Sequence, residues 1–172
     1  VRHRKTKELQ VAQFFEEQGI KFQREKYIPY GVDSDDGKTG AFLDFYIELA
    51  THNVIVSVDE NQHSESRNIF NYSVPCELSR MSKVMGALTR SANSRPTLWL
   101  RYNPDVYRVA GQTVAVATPE RLAQLLVAIH RPVVAPYTVQ YLYYDLDALG
   151  KPEVFGHRDF DATFKKICIH RE

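Results

Sequence analysis

Apolar and polar positions follow two periods along the chain, and each change of period marks an element. Leu9, Val11, Ala12 and Phe15 recur at helical spacing, so residues 6–18 are expected to form an amphipathic helix stopped at Gly19. Residues 20–29 read as a short extended stretch. Residues 30–40, rich in Gly and Asp, read as a polar loop. Phe42–Leu49 and Val54–Asp59 read as two strands joined tightly through Thr51, His52 and Asn53 into a hairpin. A polar stretch from Glu60 to Tyr72 leads to Ser73 and Pro75, which open a helix expected to reach about Thr89. A loop with Ser91, Asn93, Ser94 and Pro96 precedes a third strand, Thr97–Tyr102. Thr118 and Pro119 then start a helix ending near His130, Val139–Tyr144 reads as a strand, and residues 158–169 read as a terminal helix. The order predicts one mixed α/β domain in three layers.

Composition agrees with a globular chain: of 172 residues, 44% are hydrophobic and 25% charged. No apolar run is long enough to cross a bilayer, and no charged-then-apolar leader opens the sequence. Cys76 and Cys168 are too few for a disulfide scaffold and belong to no CxxC pair, so both are expected as reduced thiols. An intracellular protein, cytoplasmic or nuclear, is the corresponding expectation. The net charge of +1 announces no polyanionic partner. Cations do cluster locally, at Arg2, His3, Arg4, Lys5 and Lys7 and again at Lys21, Arg24 and Lys26. Such a cluster is a solvated basic tail or a phosphate-binding patch with Arg24 as a contact.

Carboxylates stand where apolar residues belong. Asp44 interrupts Phe42-Leu43-Asp44-Phe45-Tyr46-Ile47, where a carboxylate needs a partner or a metal. Strand alternation puts Val54, Val56 and Val58 on one face and Ile55, Ser57 and Asp59 on the other. Asp59, Glu60 and His63 gather where that strand enters a loop, a placement suited to acid–base work. At 100° per residue Glu8 falls inside the apolar stripe of the first helix, and Glu77 shares a face with Arg80, Met81, Val84 and Leu88 on the second. Glu77 and Arg80 are also spaced for an ion pair, and Glu8 for reaching out from the edge of its stripe.

Taken in order, these residues resemble the PD-(D/E)XK, or restriction endonuclease-like, superfamily. Within it they resemble the branch of the very short patch repair endonucleases and of homing endonucleases with a Glu, Asp, variable, His, Asp pattern. Glu8 matches the first glutamate, Asp44 the metal-binding aspartate, Ser57 the variable position, His63 the histidine and Glu77 the last acid. Leu98-Trp99-Leu100-Arg101-Tyr102-Asn103-Pro104-Asp105 resembles the strand that follows. The likeness covers residues 5–105 as a catalytic core, with residues 106–172 as a C-terminal extension of the same domain. The broader superfamily has an acid at position 57 and Lys at 59. Here these are Ser57 and Asp59, as suits the repair-endonuclease branch.

The resemblance implies a three-layer α/β/α core with a mixed central sheet and a Mg²⁺-dependent endonuclease, with Mn²⁺ as substitute, acting on double-stranded DNA. It implies Asp44, the Val58 carbonyl and Asp59 as metal-binding groups. His63 would handle protons, Glu8 and Glu77 would orient water or His63, and Arg24, Arg80 and Arg101 would contact nucleic acid. The alternatives are an inactive nucleic-acid-binding module, an RNA-directed nuclease, or a structural domain whose carboxylates form ion pairs.

Overall fold

The protein is an α/β domain built on a mixed sheet. The computed structural model describes residues 5–31, 37–63, 74–91, 95–160 and 169–171. Its order is α1 (Thr6–Glu17), β1 (Gln23–Pro29), β2 (Gly40–Glu48), β3 (Asn53–Val58), a 3₁₀ turn (Glu60–His63), α2 (Val74–Arg90), β4 (Thr97–Tyr102), β5 (Tyr107–Val109), β6 (Gln112–Val114), α3 (Thr118–Ile129), β7 (Tyr137–Leu142), a second 3₁₀ turn (Glu153–Gly156) and β8 (Ile169–Arg171). The main sheet has six strands in the order β1-β2-β3-β4-β7-β8. The first three form an antiparallel meander, and β4, β7 and β8 continue in parallel from β3.

Helices cover both faces. Val11, Ala12 and Phe15 of α1 and Leu122, Leu125 and Ile129 of α3 pack on Phe45, Val54, Val56, Leu98 and Leu100. On the other side Leu78, Met81, Val84 and Met85 of α2 pack on Leu43, Ile55, Trp99 and Val139. Every residue of β3 and β4 is buried, as a strand covered on both faces requires. Among the described residues, no helix is long and apolar enough to cross a membrane.

The structure departs from the sequence expectations at four places. The extended stretch before Pro29 is a full strand, so the hairpin becomes a three-strand meander. The strand expected at Val139–Tyr144 runs from Tyr137 to Leu142. The terminal helix expected at 158–169 is helical at 158–160, its residues 161–168 lie outside the described residues, and residue 169 belongs to β8. The short hairpin β5–β6 was not expected. Ala110 (φ 49°) and Gly111 (φ 80°) make its two-residue turn, the left-handed pair that matches strand twist.

Gly40 is fixed by contact. A Cβ there would lie 2.4 Å from the Tyr27 ring and 2.6 Å from the Ile28 carbonyl. Gly40→Ala should therefore displace the ring and cost about 1–3 kcal/mol in a denaturant melt.

Candidate functional site

The site begins where two strands part. The β2–β3 ladder ends at Phe45↔Val56, while β1–β2 pairing continues to Pro29↔Gly40 and β3–β4 pairing to Val58↔Tyr102. The sheet thus forks at Asp44. Its Oδ2 accepts the Val58 N–H at 2.9 Å, closing the fork with a side chain in place of a ladder bond. Among the described residues, no hydrogen bond is made to its other oxygen, Oδ1.

A strand irregularity lies at Asp44, whose charge neighbours include Glu8 of α1. Leu43 and Phe45 pack on opposite faces although they are two positions apart, so alternation slips by one at Asp44. Opposite, Glu25 has φ 49°, and its pair with Asp44 is missing from an otherwise continuous register. Left-handed backbone at a non-glycine residue costs on the order of 1–3 kcal/mol and persists only where neighbours hold it. Lys5 bonds Glu25 at 3.0 Å and supplies such a hold.

Around Asp44 charges alternate. Glu8 is 4% exposed and is bound by Arg24 at 2.5 Å and by Lys5 at 3.0 Å. Burial raises the Asp44 pKa, the Val58 N–H opposes this, and the charges of Asp59 and Glu8 add to the rise, with Arg80 opposing. For Lys5, burial alone would lower the pKa, but its bonds to Glu25 and Glu8 and the charges of Glu8 and Asp44 outweigh burial and leave it raised. From α2, Arg80 donates to the Phe42 carbonyl and stands 3.7 Å from Glu77.

A second cluster lies on the α2 side and is sealed. Arg101 donates Nε to Asp59 Oδ2 at 2.6 Å and Nη2 to Oδ1 at 3.0 Å, and Nη2 also meets Glu77 at 3.0 Å. The Tyr144 hydroxyl donates to Asp59 Oδ2 at 2.6 Å. Burial would lower the Arg101 pKa, but Asp59, Tyr144 and Glu77 drive it well above its usual value. Burial and the Asp59 charge push the Tyr144 hydroxyl well up. Among the described residues, Arg101 Nη1 is buried without a hydrogen-bond partner.

These contacts correct two expectations. Asp59 is fully buried with both oxygens on Arg101, so in this arrangement it is not turned to a metal. Arg101 is 2% exposed and serves Asp59 and Glu77, so it does not face a phosphate. Arg24 and Arg80, in contrast, keep side chains 34% and 28% exposed beside the fork. Ser57 accepts the Trp99 indole N–H at 2.9 Å and is a core partner.

The turn after β3 is pinned from two sides. Asn61 (φ 53°) and Gln62 (φ 59°) are both left-handed. Asn61 donates its N–H to Asp105 at 2.8 Å, and Gln62 exchanges bonds with the Asp145 side chain and backbone at 2.9 and 2.6 Å. His63 ends this turn, and its side chain lies outside the described residues.

Glu8, Asp44 and Arg80 are therefore electrostatic neighbours, and Glu77, Asp59, Arg101 and Tyr144 form an adjoining network. Sequence reading missed Lys5 as the bridge between Glu8 and Glu25, and Tyr144 as the hydroxyl on Asp59. A tyrosine-rich strand end was its signal, but it did not name the partner. Tyr144→Phe removes a bond to a buried charge and should cost about 2 kcal/mol in equilibrium unfolding.

Among the described residues, no three His, Cys, Asp or Glu side chains converge as a metal cage. Mg²⁺ needs no such cage, since it keeps several waters and is commonly held by one or two carboxylates with substrate phosphate. An Asp44 oxygen that no described residue bonds, on a carboxylate beside Glu8, fits that donor set. No family model, no characterised protein and no solved structure matches the chain.

Proposed function

We propose that the protein is a metal-dependent endonuclease of the restriction endonuclease-like fold, cutting or nicking DNA at the fork between β2 and β3. The observation that carries this reading is Asp44: an aspartate at a strand divergence, half-buried, anchored through one oxygen, with a second acid on α1 beside it. Mg²⁺ or Mn²⁺, held by Asp44 and the Val58 carbonyl, would supply charge neutralisation for the phosphate and a more acidic water.

The chain's own residues account for the rest. Glu8, tied by Arg24 and Lys5, orients water toward the phosphate without leaving its place. His63, at the end of a turn pinned by Asp105 and Asp145, moves a proton at the water or the departing oxygen. Arg24 and Arg80 flank the fork and offer guanidinium donors to the phosphodiester.

Plasmid DNA incubated with the protein and Mg²⁺ or Mn²⁺ should be nicked or linearised. His63→Ala should slow this by about 10²–10⁴-fold, the usual contribution of one acid–base group. DNA binding without cleavage in either metal would favour an inactive binding module, a reading that Ser57, spent on Trp99, also suits.

A further inference from the structure

The α1 side of the β1–β2 hairpin carries two large exposed rings. Phe42 is 60% exposed and Tyr27 42%, with ring centroids 5.0 Å apart and planes tilted by 50°. They are directly paired across the strands and so share a face. The pair is held in place: the Tyr27 hydroxyl bonds Thr39 at 2.9 Å, and its ring occupies the space that a Cβ at Gly40 would fill. The Phe42 carbonyl is held by Arg80. Aromatic rings fixed this firmly and left in water mark a surface used for contact.

Position in the strand says what contact. Asp44 lies two residues beyond Phe42 on the same face, about 7 Å along the strand. Lys5 acts on its charge, and Arg24 is paired with Glu8, the acid next to it. An aliphatic partner would meet the rings but not the charges, and a free phosphate the charges but not the rings. A nucleotide brings a flat base and an anion at that separation.

We propose that Tyr27 and Phe42 form a stacking platform for an unpaired base of the nucleic acid whose phosphate lies at Asp44. This deepens the nuclease reading and rests on it. Sequence-tolerant stacking of this kind changes Kd by roughly 5- to 100-fold per base when the ring is removed.

The test is fluorescence anisotropy of a labelled oligo-dT strand with the full chain, in chelator so that nothing can be cut. Phe42→Ala and Phe42→Leu should each weaken binding by roughly 5- to 100-fold while Phe42→Trp retains it. The slope of binding against salt should stay unchanged, because no phosphate contact is lost. Melting temperatures should match the parent. Equal binding by Phe42→Ala, full binding by Phe42→Leu, no binding by the parent, or self-association of the parent through this face would each overturn the platform. Plasmid left uncut in Mg²⁺ and Mn²⁺, with Phe42→Ala still weakening oligo-dT, would remove the nuclease reading and leave the stacking surface. Plasmid cut, with Phe42→Ala binding as the parent does, would do the reverse.

Discussion

Asp44→Asn should abolish DNA cleavage and, at neutral pH, raise the melting temperature. The loss of activity follows from the metal-binding role assigned to this carboxylate. Charge stabilisation of several kcal/mol is at stake, which is on the order of 10³-fold in rate. The gain in stability follows from the environment of the group. Burial raises its pKa, only partly countered by the Val58 N–H, and Asp59 and Glu8 add repulsion. A carboxyl whose folded pKa lies above its unfolded one stabilises the fold while protonated, and this contribution is lost as pH rises through the folded pKa. Asp44 is therefore a net cost at neutral pH. Asparagine keeps an acceptor for the Val58 N–H and carries no charge. The variant should melt above the parent at pH 7, and the gap should close on acidification through the carboxylate range. A variant that melts below the parent at pH 7 would mean that Asp44 serves the fold and is not kept for a ligand.

Arg101→Met should be the most destabilising single change in the site. It leaves Asp59 and Glu77 buried without the cation that both share. Breaking a buried pair from one side costs about 3–5 kcal/mol. At about 2–4 °C per kcal/mol for a chain of this size, the melting temperature should fall by roughly 6–20 °C. Adding Asp59→Asn to this variant should recover part of the loss, because the stranded charge, more than the missing bond, carries most of the penalty. A drop under about 1 kcal/mol would show that water reaches the cluster and screens it.

What the sequence made legible was periodicity. Alternation along β3 correctly assigned Val54, Val56 and Val58 to one core and Ile55 to the other. The helical stripe placed Glu8 and Glu77 inward, where both are buried. Periodicity gives a face and not a neighbour across the sheet. Ser57 and Asp59 were read on one face, but their partners, Trp99 and Arg101, lie on β4 at an offset of 42 residues in each case. The β3–β4 register pairs residues 44 apart, so each bond runs diagonally, two positions off the register of a parallel crossover through α2, which no local pattern encodes. An acid at a strand end therefore reads as a metal ligand from sequence alone, whereas the structure gives Asp59 to the Arg101 guanidinium. The slip at Asp44 was hidden for a similar reason, since it needs Glu25 on the neighbouring strand to take a left-handed conformation that glutamate seldom adopts.

The site carries several departures from what stability alone would choose. Asp44 is a half-buried acid, Glu25, Asn61 and Gln62 are left-handed, and Tyr27 and Phe42 stand in solvent. All gather at one end of the β1–β2–β3 meander and the turn that follows it. Ala110 and Tyr143 are left-handed and Val134 and Leu149 are exposed elsewhere, so what sets this end apart is that strain and exposure there stand beside a half-buried acid.

The decisive measurement is Mn²⁺ binding followed by electron paramagnetic resonance, on the parent and on Asp44→Asn at neutral pH. The parent should take up a bound ion that displaces the free Mn²⁺ signal, and the asparagine variant, still folded, should leave that signal at its full height. Equal uptake by both proteins would place any bound ion elsewhere and would contradict a metal site at the β2–β3 fork.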